Sequence, residues 1–158
     1  MKILISSCLV GNKVRYDGTS KTMDGLELLT RYHELLPICP EVAGGLPIPR
    51  EKAEIKGNPE DILSGDMGGV YTGSDVDVTE EFLKGAGITL AYCVENKIEA
   101  AILKEKSPSC GSNFVYDGTH TGTLISGEGI TANLLKKNGI AVYSETNWQE
   151  LLPGDCDY

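Results

Sequence analysis

The chain has 158 residues, 41 % hydrophobic and 23 % charged, with 14 Lys and Arg against 23 Asp and Glu for a formal charge of −9. That length suits one domain over 1–158 with a core large enough to need no disulfide staples. The balance excludes collagen, coiled-coil and disordered classes, and the negative charge argues against a long nucleic-acid groove.

The opening run MKILISSCLVG carries Ile3, Leu4 and Ile5 side by side. A continuous apolar strand implies burial on both faces, as in a parallel sheet. The run is too short for a membrane span and no cleavage pattern follows it. With five cysteines and no export signal, the expected location is cytoplasmic, where cysteines are core filler, metal ligands or redox groups.

Met23, Leu26, Leu28 and Leu29 predict a helix within 21–33, and Leu35–Ile38 a second strand ending at Cys39. Residues 40–76 are rich in Gly and Pro and read as an insertion beside the sheet. Its Ala53–Tyr71 stretch suits a short hairpin with Gly57-Asn58 and Gly65-Asp66 as turns. A helix follows: Asp77 and Glu80 resemble a capping box, and Phe82, Leu83, Ala86, Leu90 and Val94 share one face. Cys93 beside them reads as packing. Gly85 and Gly87 inside this helix are expected to permit close packing. Glu99–Leu103 is the third strand, with a short ribbon of 114–116 and 123–125 after it. A helix from Ile130 stops at Gly139, Ile140–Tyr143 is the fourth strand, and Trp148, Leu151 and Leu152 suggest a closing turn of helix.

Strands alternating with helices predict an α/β fold, a three-layer Rossmann-like domain with a mainly parallel four-stranded sheet plus the Gly/Pro-rich insertion. Cys8, Cys39 and Cys110 then follow three different strands. In the order 2-1-3-4, with right-handed crossovers, all three thiols meet at the switch point outside the carboxyl ends of the strands. With no CxxC, zinc-ribbon and ferredoxin spacings are absent. Three readings are open: thiolates holding three irons of a 4Fe-4S cluster with the fourth iron open, a Cys8–Cys39 redox pair, or three core thiols. Cys156, in the last residues, reads as adventitious.

Beside these thiols stand polar residues with two readings each. Glu41 is a general base, or else a solvated loop charge or helix-cap acceptor; Ser107 is a proton relay or a turn residue before Pro108, with Ser109 close by. Arg15, Lys21, Arg50, Lys104 and Lys106 offset thiolate charge, bind substrate or are ordinary surface cations; Asp17 lies among them in sequence. His33 and His120 fall in no metal-spaced pair. Tyr-Asp-Gly-Thr occurs twice, at 16–19 and 116–119, as turn chemistry with no assigned role.

SSCLVG-x-x-VRYDG, CPEVAGGLPIPR, Asp-Val-Thr at 77–79 and KEKSPSCG, in this order, resemble the thiouracil desulfurase family over nearly the whole chain. The resemblance implies a 4Fe-4S cluster on Cys8, Cys39 and Cys110 with one open iron, and Glu41 and Ser107 as catalytic residues. It implies replacement of the thiocarbonyl sulfur of a small thiolated pyrimidine (base, nucleoside or nucleotide) by oxygen from water, without net redox change. Arg15, Asp17, Lys21, Arg50, Lys104 and Ser109 are the candidate substrate-binding residues. The competing expectations are a thiol–disulfide oxidoreductase, an iron–sulfur or nucleotide-binding sensor, and a sulfur carrier.

Overall fold

The computed structural model describes residues 1–154, so Cys156 lies outside the described residues. In chain order the elements are β1 (Lys2–Ser6), α1 (Leu26–Thr30), β2 (Glu34–Ile38), α2 (Pro40–Ala43), β3 (Ala53–Lys56), α3 (Pro59–Ser64), β4 (Gly69–Thr72), α4 (Thr79–Glu95), β5 (Ala100–Leu103), β6 (Phe114–Tyr116), β7 (Leu124–Ser126), α5 (Ile130–Lys137) and β8 (Ala141–Ser144). Short 3-10 turns occupy Ser7–Val10 and Trp148–Leu151. None of the described helices is long and apolar enough to cross a membrane.

The apolar run at the start places β1 inside the sheet. Ile3 pairs with Leu35 of β2 on one side and Ala100 of β5 on the other, both in parallel. With β8 parallel beside β5, the order is β2-β1-β5-β8, the 2-1-3-4 arrangement expected from the strand pattern. Alternation along the strands sends side chains to both faces. Ile3, Ile5 and Ile102 meet Leu9, Met23, Leu29 and Trp148 on one face. Leu4, Ala101 and Leu103 meet Cys93 of α4 and Ala132 and Leu135 of α5 on the other.

The insertion differs from the simple hairpin expected. β3 and β4 do pair antiparallel, but α3 stands between them. The Asn58 side chain accepts the Glu60 N–H and Pro59 occupies the first turn, two start signals that outweigh a turn there. Its apolar residues Ile55, Ile62 and Val70 pack on Phe82 and Ala86 of α4 and Ile130 of α5. The expected helix within 21–33 shrinks to α1, because Met23 is tied by its backbone to Leu9 and Gly25 turns the chain at φ 89°. The second ribbon strand runs 124–126, one residue later than expected.

Two expectations for α4 are corrected. Its buried stripe runs through Phe82, Ala86, Thr89 and Cys93, so Val94 is turned outward and is 69 % exposed. Of the two glycines, only Gly85 permits close packing. A Cβ on Gly85 would strike the Pro40 carbonyl and one on Gly44 the Glu81 carbonyl, whereas Gly87 has nothing within 4 Å. Backbone therefore meets backbone where α2 crosses α4, and this contact fixes the short helix that carries Glu41. Gly87→Ala is expected to raise stability by about 0.5–1 kcal/mol through helix propensity alone. Gly85→Ala is expected to cost about 1–3 kcal/mol by overpacking. Urea midpoints of the two variants check this, and an equal shift in both would contradict the crossing.

Candidate active site

Three connections leave the carboxyl ends of β1, β2 and β5 and enclose one cavity of about 230 Å³. Cys8 comes from the 3-10 turn directly after β1, Cys39 is the last residue before α2, and Cys110 lies on the loop after β5. All three line the cavity, and all are free thiols. Cys8 and Cys110 are buried and Cys39 is half-buried.

Burial, with Cys39 nearby, pushes the Cys8 thiol up to about 11 against the pull of Lys104 and Arg15. Burial likewise raises Cys39. It raises Cys110 further, with Cys39, Glu41 and Cys8 adding to it, while a hydrogen bond from Ser6 acts the other way. Cys8 thus feels Cys39, and Cys110 feels both of the others. Among the described residues, no three Cys, His, Asp or Glu side chains gather tightly enough to hold a single metal ion. The sulfurs border a shared cavity rather than a shared point.

The loop that carries Cys110 is held by a buried carboxylate. Glu105 accepts the N–H groups of Ser112, Asn113 and Phe114, the Ser112 hydroxyl and the Asn113 amide, all within 3.1 Å. Burial alone would raise its carboxyl, but these donors outweigh it and hold it below the ordinary carboxylate range. Farther along, the first N–H groups of α5 are taken up by the same loop: Ile130 donates to Pro108, and Thr131 and Ala132 donate to Ser109. Glu145 accepts the Glu105 N–H at 2.8 Å and pairs with Lys104 at 2.9 Å. The loop is fastened at both ends.

Within it, the Ser107 hydroxyl oxygen accepts the N–H groups of Ser109 and Cys110, each at 3.1 Å, and donates to Glu41 Oε2 at 3.2 Å. The other carboxylate oxygen of Glu41 accepts Arg50 Nε at 3.2 Å, and the Arg50 side chain is only 6 % exposed. Residues 66 apart in sequence are thereby locked together on the cavity wall. The carboxylate has a fixed orientation beside the thiols.

Arg15, Arg50 and Lys104 line the cavity, as does Lys106. Asp17, Lys21 and Ser109 are not brought to it. The Asp17 carboxylate instead closes its own turn on Thr19, the exposed Lys21 contributes a backbone N–H to the Cys8 carbonyl, and the buried Ser109 hydroxyl bonds Thr131 at 2.7 Å. Arg50 gives Nε to Glu41 and Nη1 to the Pro47 carbonyl while it lines the cavity. Lys52, Tyr16 and Tyr116 also line the cavity, with Lys52 Nζ 3.9 Å from the centre of the Tyr116 ring. The repeated Tyr-Asp-Gly-Thr was a signal for both tyrosines; nothing in the sequence marked Lys52 or Glu105. The cavity lining holds Arg15, Arg50, Lys52, Lys104 and Lys106 against the carboxylates Glu41 and Glu105, a local excess of cations in an acidic chain.

The chain is similar to known proteins over most of its length. A family model described as 2-thiouracil desulfurase matches residues 3–147. The protein YbbK of Bacillus subtilis (strain 168), described as uncharacterized, is 46 % identical over 151 residues, covering 95 % of this chain and 99 % of that protein. Among solved structures, the 4Fe-4S-dependent thiouracil desulfidase TudS matches with a TM-score of 0.84 at 45 % identity, over 95 % of this chain and 94 % of that one. Matches of that extent leave one assignment: the chain belongs to the 2-thiouracil desulfurase family.

Proposed function

We propose that this chain is a single-domain, Rossmann-like three-layer desulfurase that exchanges the thiocarbonyl sulfur of a small thiolated uracil compound for oxygen from water. The observation that carries this reading is the meeting of Cys8, Cys39 and Cys110 with the hydrogen-bonded Glu41–Ser107 pair around one cavity. The similar TudS is described as 4Fe-4S-dependent, and the donor set here suits such a cluster. A cube offers its irons on separate corners, so thiolates spread round a cavity fit it better than they fit one ion. Lys104 and Arg15 near Cys8 partly offset the burial and the Cys39 charge that disfavour its thiolate.

Cys8, Cys39 and Cys110 would hold the cluster. When bound, the cluster would supply Lewis-acid polarisation of a thiocarbonyl group. Glu41 does the proton chemistry: fixed by Arg50 and Ser107, its carboxylate takes a proton from the attacking water. Ser107, with two N–H groups on its oxygen, is polarised to pass a proton toward the departing sulfur. Carbon–oxygen bond formation and carbon–sulfur bond cleavage consume water and release hydrogen sulfide, so the electrons balance without a donor. The cationic lining favours a small, electron-rich guest in a chain whose average surface repels polyanions.

The test is anaerobic reconstitution with iron and sulfide, followed by incubation with 2-thiouracil, 4-thiouracil and their nucleosides and nucleotides. The expected result is loss of thiocarbonyl absorbance, matching release of sulfide, and oxygen-18 in the product from labelled water. Cluster-loaded protein that leaves every compound unchanged overturns the reading.

A further inference from the structure

The two copies of Tyr-Asp-Gly-Thr fold alike. Asp17 accepts the Thr19 N–H at 3.1 Å and its hydroxyl at 2.5 Å; Asp117 accepts the Thr119 N–H at 3.0 Å and its hydroxyl at 2.6 Å. Gly18 and Gly118 take left-handed φ of 77° and 91°. These contacts account for Asp, Gly and Thr in each copy. They do not account for the tyrosine. What the tyrosines share is their place: Tyr16 and Tyr116 are both half-buried and both line the cavity.

Each ring is also held by a cation from the same lining. Arg15 Cζ is 5.7 Å from the Tyr16 ring centre and Lys52 Nζ is 3.9 Å from that of Tyr116. Backbone ties complete the positioning. The Tyr16 carbonyl accepts the Arg50 N–H at 2.6 Å, and Gly118, next in line after Asp117, donates to the buried Glu54 at 3.0 Å. The rings are therefore preorganised, which lowers the ordering cost of binding. The chain has only two Phe, seven Tyr and one Trp. Phe82 and Trp148 are buried in the apolar clusters, so two tyrosines at the cavity are a distinct use of a scarce residue class.

We propose that Tyr16 and Tyr116 determine specificity by stacking on the planar, conjugated ring of the substrate, so that ring planarity as well as the thiocarbonyl is selected. Base–aromatic stacking is insensitive to ring substituents and is lost on a puckered ring. The proposal rests on the desulfurase reading for the identity of its ligand. Arg15 and Lys52 act as positioning residues through the tyrosines.

The test uses cluster-loaded protein and compares 2-thiouracil with 5,6-dihydro-2-thiouracil, which keeps the thiocarbonyl and N–H pattern on a saturated ring. Tyr16→Leu and Tyr116→Leu are each expected to shrink the planar-over-saturated preference about tenfold, with the loss falling on KM. Tyr16→Phe and Tyr116→Phe are expected to retain that preference. An unchanged preference in either folded, iron-loaded leucine variant overturns the proposal, as does an equal loss for both compounds, the mark of a purely structural role. Should one leucine variant fail to hold iron, the other carries the test alone, because the effect is required at each ring. If wild-type protein releases sulfide from neither compound, the stacking is read by calorimetry with uracil and dihydrouracil, whatever the outcome for the wider panel that tests the desulfurase reading. Tighter binding of uracil that both leucine changes weaken supports the proposal; no uracil binding, or equal affinity for the two rings, overturns it.

Discussion

Cys8→Ala, Cys39→Ala and Cys110→Ala are each expected to leave iron content after anaerobic reconstitution near background and to abolish sulfide release, whereas Cys93→Ala retains both. The contrast follows from where the four thiols stand. Cys93 is fully buried on α4 against the sheet, in contact with aliphatic groups and away from the cavity lining. Burial alone pushes its thiol up to about 11, so it is an inert core methylene equivalent whose loss costs about 1 kcal/mol of stability. The other three border the cavity, and the thiols of Cys8 and Cys110 raise or are raised by their companions. Removing one would leave two of the three proposed ligands. Iron analysis and the visible absorbance of the cluster check the outcome, and thermal melts of the apo proteins establish that the variants fold. Retention of the cluster in the Cys39→Ala protein, with turnover intact, would remove that residue from the ligand set.

The strand order was legible because the sequence marks it twice. Ile3–Ile5 is a continuous apolar run, which favours a central parallel strand, and each of three strands is followed by a cysteine, which the order 2-1-3-4 brings together. What escaped were features set by tertiary contact. The Val94 side chain obeys a helical period, but the face α4 buries is decided by the crossing at Gly44 and Gly85, and the stripe ends on Cys93. Ser109 and Ser107 are indistinguishable in SPSC; the structure separates them because Thr131 of α5 captures one hydroxyl while Glu41 accepts the other. Glu105 stands between two lysines like any surface charge. Its five donors lie seven to nine residues on, in a loop with no periodicity to reveal them. Lys52 meets Tyr116 across an insertion and a ribbon that share no sequence signal.

Glu41→Gln is expected to lower sulfide release by about 10²–10⁴-fold, the usual contribution of a positioned general base, with iron content unchanged. The amide preserves volume and offers Arg50 an acceptor, so α2 and the crossing with α4 keep their places and only the proton acceptor is lost. Ser107 gives a different signature. Its oxygen holds the N–H groups of Ser109 and Cys110, so Ser107→Ala strips acceptors from the backbone that carries a proposed ligand, at a cost of about 1–3 kcal/mol where those groups are shielded from water. That variant is expected to lose both activity and part of its iron, while Ser107→Thr, which keeps the hydroxyl, recovers the iron. Single-turnover sulfide release and iron per chain, measured on the same preparations, separate the two roles. A Glu41→Gln protein that turns over at the wild-type rate would show that water is activated without this carboxylate, and the Arg50–Glu41–Ser107 chain would then be a brace between α2 and the Cys110 loop.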